Sequence, residues 1–389
     1  MESKGAFRSF ILAMLLAMSG TALGQALTEV QQLGKAIFFD ENLSVNANQS
    51  CATCHGPEAG WTGPDSNINA HGAVYEGSVP GAFGDRKPPS AAYATFAPIL
   101  HMDKKGLWIG GNFWDGRATG ERLGNPAADQ AQGPFLNPKE QALATAADVV
   151  TKVCDASYGA LFRSVWGDEA CEAVNVSAAY DYIGLSVAAF EASPEVNAFS
   201  SKFDAGTLDQ QERRGYALFR GKGQCARCHI ANGSEAVFTD FTFDNLGLPR
   251  NPENPVYTYA PGFVDEGLGA FLRAAGYPAT VYGPNLGKHK VPTMRNVGKG
   301  PVGVVKAFGH NGYFKSLAGI VHFYNTRDVK PVCPGDYTEA QALAAGCWPA
   351  PEFAANVNTE ELGDLGLTAD EEAAIVAFLE ALSDGYTVP

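Results

Sequence analysis

Cys51-Ala-Thr-Cys54-His55 and Cys225-Ala-Arg-Cys228-His229 are the two stretches whose reading decides the fold. Two thiols at this spacing reach the two vinyl groups of one haem, and the histidine that follows swings under the iron as proximal ligand. A zinc half-site would need a second CxxC or a histidine pair for each copy, and a redox dithiol would need a βαβ setting. Neither is visible. Each copy also follows a Gly-x-Ala-aliphatic-Phe segment, Gly34-Lys-Ala-Ile-Phe38 in the first half and Gly215-Tyr-Ala-Leu-Phe219 in the second. The sequence therefore predicts two covalently attached c-type haems, held by Cys51, Cys54, Cys225 and Cys228, with His55 and His229 on the irons.

Working outward, each repeated segment sits late in a helical pattern. Leu27, Val30, Leu33 and Ile37 mark the first helix, and Thr207 with Gln210 predicts the N-terminal cap of the second. Each half closes on an amphipathic helix, marked by Ile183, Val187 and Phe190, then by Ile375, Leu379 and Leu382. Thr368 and Glu371 predict a capping box for the last. Between these helices the chain is rich in Gly and Pro, notably Gly56 to Pro89 and Pro249 to Pro301. The expected fold is mostly α: two cytochrome c-like domains, residues 25–204 and 205–389, each built around one haem with long loops. The polar stretch Ala192 to Gly206 holds the boundary.

The first 24 residues read as a secretory signal peptide, with Lys4 and Arg8 ahead of an apolar run from Phe10 to Met18 and a small-residue site at Ala22-Leu23-Gly24. The mature chain is expected to start near Gln25 and to be periplasmic. No cysteine near that site suggests a lipid anchor, and no other stretch is apolar enough to span a bilayer. A formal charge of −14 argues against nucleic acid as a partner. Eight cysteines leave four outside the CxxCH motifs. Four allow three pairings, and sequence proximity favours Cys154–Cys171 and Cys333–Cys347 as disulfides.

What each haem does depends on the other face of its iron. A simple electron carrier usually supplies methionine there. Beyond the signal peptide only Met102 and Met294 remain, and Met294 is available but not favoured as a ligand. The histidines outside the motifs are His71, His101, His289, His310 and His322.

Gly110-Gly-Asn-Phe-Trp-Asp-Gly-Arg117 and Lys290-Val-Pro-Thr-Met-Arg-Asn-Val297, in this order with the two CxxCH sites, resemble the bacterial di-haem cytochrome c peroxidase / MauG family across the mature chain. Gln130-Ala-Gln-Gly-Pro-Phe-Leu-Asn-Pro-Lys-Glu140 and His322-Phe-Tyr-Asn325 resemble its MauG-like branch. The resemblance implies that the His55 haem is the peroxide-reactive one, with Glu140 as acid/base and Gln130 and Pro134 in the distal pocket. It also implies that Trp114 lies between the haems and that Tyr324 is the second axial ligand of the His229 haem. Phenolate favours oxidised iron, opposite to methionine. His322 is the rival ligand, and His310 reads as a structural loop residue.

Many family members bind calcium between the haems. Here Lys87, in Gly84-Asp-Arg-Lys87-Pro-Pro-Ser90, stands at a ligand position, and an ammonium cannot ligate calcium. Together with an insertion between Asn296 and His310, this argues against calcium and leaves Lys87 to supply a positive charge. The leading expectation is a peroxidase that reduces hydrogen peroxide at the first haem with electrons from a small redox protein. The alternative is a MauG-like enzyme oxidising a residue of a protein substrate through a high-valent di-haem state. A third reading, a non-enzymatic two-haem carrier, is disfavoured by the Trp114 and Glu140 motifs.

Overall fold

Local capping signals set the boundaries of the main helices. Thr28 and Gln31 close a capping box on the Glu29–Phe38 helix, and Thr368 and Glu371 do the same for the Ala369–Glu380 helix, as the sequence predicts. At the Gln210–Arg220 helix the expected cap is displaced. Asp209 and Glu212 form the box, not Thr207 and Gln210. An aspartate accepts the first-turn N–H groups more strongly than a threonine, and Glu212 adds charge favourable to the helix N-terminus. A computed structural model describes residues 26–233 and 235–387. The expected signal peptide (1–24) and the mature start at Gln25 lie outside the described residues.

The architecture is mostly helical, with two cytochrome c-like cores and only two short antiparallel ladders among the described residues. In the first core the Glu29–Phe38 helix crosses the Val176–Glu191 helix, burying Leu33, Ile37 and Phe38 against Ile183, Val187 and Phe190. In the second the Gln210–Arg220 helix crosses the Ala369–Glu380 helix, burying Phe219 against Ile375, Phe378 and Leu379. The repeated glycines explain themselves here. A Cβ on Gly34 would run into the Ser186 carbonyl and lie 2.9 Å from the Phe190 Cβ. One on Gly215 would run into the Ala374 carbonyl and lie 2.8 Å from the Phe378 Cβ. Each helix that precedes a CxxCH motif can cross its partner closely because it has no side chain at that point.

Both expected disulfides are present, Cys154–Cys171 under the first core and Cys333–Cys347 in a third cluster with Trp348, Phe314 and Phe323. The Pro249–Pro301 stretch is less irregular than its composition suggests. The Gly267–Ala274 helix buries Leu268 and Leu272 against Trp108 and Phe243, because packing there outweighs the weak helix propensity of its glycines. Next to it, Phe243 pairs with Lys290 and Asp244 with His289, which fixes the segment that runs between the two halves. No helix among the described residues is long and apolar enough to cross a membrane.

Candidate haem-binding active site

The first CxxCH motif forms the short Cys51–Cys54 helix, with Ser50 capping it, and His55 follows as its C-cap residue. His55 Nδ1 donates to the Trp61 carbonyl at 3.2 Å. That bond leaves Nε2 as the free lone pair, and burial pulls the imidazole down to about 4, so it stays neutral. His229 repeats the device, donating from Nδ1 to the Phe238 carbonyl at 2.9 Å, and burial lowers it as well. The four motif thiols are unpaired, whereas the other four cysteines are bridged. Burial pushes Cys51 and Cys225 up to about 12.

Each motif opens onto its own cavity. The first encloses about 1100 Å³ of empty space and the second about 1770 Å³, both including their mouths. Two neutral imidazoles with free Nε2 atoms, each beside a thiol pair and a large cavity, are a donor set that fits haem iron.

Every residue predicted for the peroxide site lines the first cavity: Gln130, Pro134, Glu140 and Trp114 stand with Cys54 and His55. Gln130 and Pro134 come from the Pro126–Leu136 helix, four residues apart and thus on one face. Glu140 follows in a tight turn, where its Oε2 accepts from Asn137 Nδ2 at 2.8 Å. Desolvation raises the Glu140 carboxyl above its ordinary value, and the Asn137 bond only partly opposes this.

Trp114 lines both cavities. Its indole N–H donates to the Lys87 carbonyl at 2.8 Å, and its own carbonyl accepts from Lys290 N at 2.8 Å. The ring is thus tied to segments from both halves of the chain. Tyr324, on the Leu317–Thr326 helix, lines the second cavity with Cys225, Cys228 and His229. Burial, then the neighbouring Cys225 and Cys228, pushes its phenol well up, so only a strongly attracting cation across the cavity would deprotonate it. His322 is on the wall of neither cavity, and its Nδ1 is bonded to Glu372 at 2.9 Å. Met294 also lines the second cavity, while Met102 is exposed on a surface ladder.

Several residues beyond the expected ones stand near the site. Arg86 bridges Asp265 and Asp115, at 2.7 and 2.6 Å, and Asp115 also holds Arg117 at 2.8 Å. Burial alone would raise Asp265, but Arg86 outweighs it and holds the carboxyl well below the usual range. His310 does lie in a loop, yet it is buried, stacked 3.5 Å from His289 and 6.4 Å from the Trp114 ring. Asp115 and Arg117 belong to the Trp-Asp-Gly-Arg motif, which could have flagged them. Asp265 and His289 sit in unremarkable sequence, and only the fold brings them there.

Comparison with known proteins agrees with this geometry. A family model described as di-haem cytochrome c peroxidase matches residues 28–212. The methylamine utilization protein MauG of Paracoccus denitrificans is 33% identical over 388 residues, covering 96% of this chain and 94% of that protein. The cytochrome-c peroxidase IdrP2 of Denitromonas iodatirespirans is 27% identical, over 96% of this chain and 89% of its own. The crystal structure of the diheme peroxidase BthA from Burkholderia thailandensis superposes with a TM-score of 0.76 at 30% identity, over 93% of this chain and 88% of that one. With two cavities, a histidine and a thiol pair on each, and relatives matched along nearly the whole length, the chain belongs to the di-haem cytochrome c peroxidase/MauG family of haem-dependent oxidoreductases.

Proposed function

We propose that the protein is a periplasmic di-haem peroxidase that reduces hydrogen peroxide in the His55 cavity and draws electrons through the His229 cavity from an external redox protein. The observation that carries this reading is Trp114 on the wall of both cavities, with Glu140 on the wall of the first. Two c-type haems would be held by Cys51, Cys54 and His55, and by Cys225, Cys228, His229 and Tyr324. When bound, they supply irons that take up peroxide and exchange electrons. Residues 25–204 would form the domain around the first and 205–389 the domain around the second.

The chain's own residues supply the remaining chemistry. Glu140, oriented by Asn137, takes the proton from the near oxygen of peroxide and returns it to the far one, so that the O–O bond breaks with water leaving. Its raised affinity for protons suits it to hold one in passing. Pro134 has no N–H and adds no competing donor to that wall, while the Gln130 amide offers one donor and one acceptor group. Trp114 gives an aromatic bridge toward the second cavity, where Tyr324 offers a hard oxygen ligand. Two electrons and two protons then turn one peroxide into two waters.

A second reading is supported by Tyr324 and by the 33% identity to a MauG protein: the oxidising equivalents act on a residue of a protein substrate. Steady-state peroxide consumption with reduced cytochrome c separates the two. Sustained turnover favours the peroxidase; a single peroxide consumed per protein, with no donor oxidation, favours the modifying enzyme. Haem that stays with the polypeptide on a denaturing gel, and is lost in Cys54→Ala and Cys228→Ala, checks covalent attachment. Release on outer-membrane permeabilisation checks the location.

A further inference from the structure

The buried arginines among the described residues are paired with acids, whereas Lys87, buried, and Lys290 and Lys306, half-buried, are not. Arg86 has Asp115 and Asp265, Arg295 has Asp204, and Arg327 has Asp328. Lys87, Lys290 and Lys306 have no acidic side chain within salt-bridge distance among the described residues. Their ammonium groups meet only neutral oxygens. Lys87 Nζ donates to Thr62 Oγ1 at 3.0 Å and the Pro88 carbonyl at 2.8 Å. Lys290 Nζ meets Asn112 Oδ1 at 2.8 Å and the Gly111 carbonyl. Lys306 Nζ gathers three main-chain carbonyls, of Ala59, Asn296 and Lys299, at 2.9, 3.0 and 2.7 Å.

Neutral dipoles solvate an ammonium without balancing its charge, and an unbalanced buried charge is unfavourable. All three lysines line the second cavity, and Lys290 lines the first as well. Burial pulls each down to about 7, with the charges of Lys87 and Lys299 adding to the fall at Lys306, so an anion in the cavity is what would keep them charged at neutral pH. A haem carries two carboxylates, and two haems in these cavities bring four anionic groups that need counter-charge.

We infer that Lys87, Lys290 and Lys306 are the counter-charges for the carboxylates of the bound haems, so that the region between the haems is neutralised by fixed ammonium groups and needs no divalent cation. The carbonyls gathered by Lys306 are oxygens of the kind a hard cation would take, and a divalent ion there would face the ammonium directly. This rests on the two-haem reading but not on the peroxide chemistry.

The test is spectroelectrochemical titration of the holoprotein. Loss of a positive charge stabilises the oxidised haem, so Lys87→Met, Lys290→Met and Lys306→Met should each lower a haem midpoint potential, while the matching Lys→Arg variants should hold it. Lys87→Met keeps the main-chain carbonyl that Trp114 uses, which separates charge loss from displacement of the indole. Dialysis of the wild-type holoprotein against EGTA, then addition of calcium, should leave potentials and spectra unchanged. Potentials that stay put in all three Met variants at full haem content would overturn the inference. So would a chelator-induced shift that calcium reverses, and that arm needs no variant to fold. Failure to find two haems per chain would instead count against the cofactor reading itself.

Discussion

Replacing Glu140 by glutamine removes one function and little else. Glutamine keeps the length and volume of the side chain, and its amide oxygen can still accept the Asn137 Nδ2–H now made at 2.8 Å. What it cannot do is take a proton from one peroxide oxygen and give it to the other. General acid–base catalysis of this kind contributes roughly 10²- to 10⁴-fold, or about 3–5.5 kcal/mol of barrier. Glu140→Gln should therefore lower the rate of peroxide cleavage by two to four decades, read by stopped-flow mixing with peroxide and by donor-coupled turnover. The His55 spectrum should be nearly unchanged.

A companion variant fixes the sign of the pH dependence. Asn137 bonds the carboxylate and pulls the Glu140 carboxyl down against desolvation. Losing a bond of about 0.5–1.5 kcal/mol in Asn137→Ala would raise that group by up to about one pH unit. The carboxylate is the form that accepts the first proton, so activity falls as pH drops below its pKa. The acid limb of the pH–rate profile should then move to higher pH in Asn137→Ala and vanish in Glu140→Gln. A Glu140→Gln enzyme that keeps most of its wild-type rate, with the acid limb in place, would refute the assignment.

Three further outcomes follow from the same structure. Tyr324→Phe should alter the low-spin haem spectrum, whereas His322→Ala should leave it alone and cost at most about 1 kcal/mol through the loss of its half-exposed pair with Glu372; the reverse pattern would make His322 the ligand. Gly34→Ala forces the Glu29–Phe38 and Val176–Glu191 helices apart, and overpacking of this kind costs about 1–3 kcal/mol, against a helix-propensity gain of about 1 kcal/mol, so a net loss in denaturant midpoint is expected. Glu191 is buried on the first cavity wall, where desolvation lifts its carboxyl from 4.5 to about 8. A raised folded-state value means the stability is full below 4.5 and is lost progressively up to about 8. Glu191→Gln should therefore flatten that decline, by a few kcal/mol at the alkaline end, and a stability–pH curve identical to wild type would contradict it.

The chemistry of this protein is written locally. Four thiols and two histidines lie within two five-residue windows, so the expectation of a haem at each is legible in the sequence alone. The disulfides join cysteines 17 and 14 residues apart, and each capping box spans only four residues. Local competition already blurs such signals, as the Asp209–Glu212 box beside the expected Thr207 cap shows. Even the repeated glycines could be read as a pattern, although not as the crossing points they are.

What the chain alone leaves open is phase and long-range encounter. His322 and Tyr324 are two residues apart on one helix, about 200° around its axis, so only one can face the His229 cavity. The packing of the Leu317–Thr326 helix against the Ala369–Glu380 helix turns His322 toward Glu372 and leaves Tyr324 on the cavity wall. Trp114 lines both cavities while its indole N–H is held by the Lys87 carbonyl and its own carbonyl by Lys290, far along the chain. Lys306 is an ordinary lysine in sequence, and Lys87 draws notice only through the family resemblance; tertiary structure brings both, without acidic partners, to the second cavity, because burial and neighbours are properties of the fold and not of the residue.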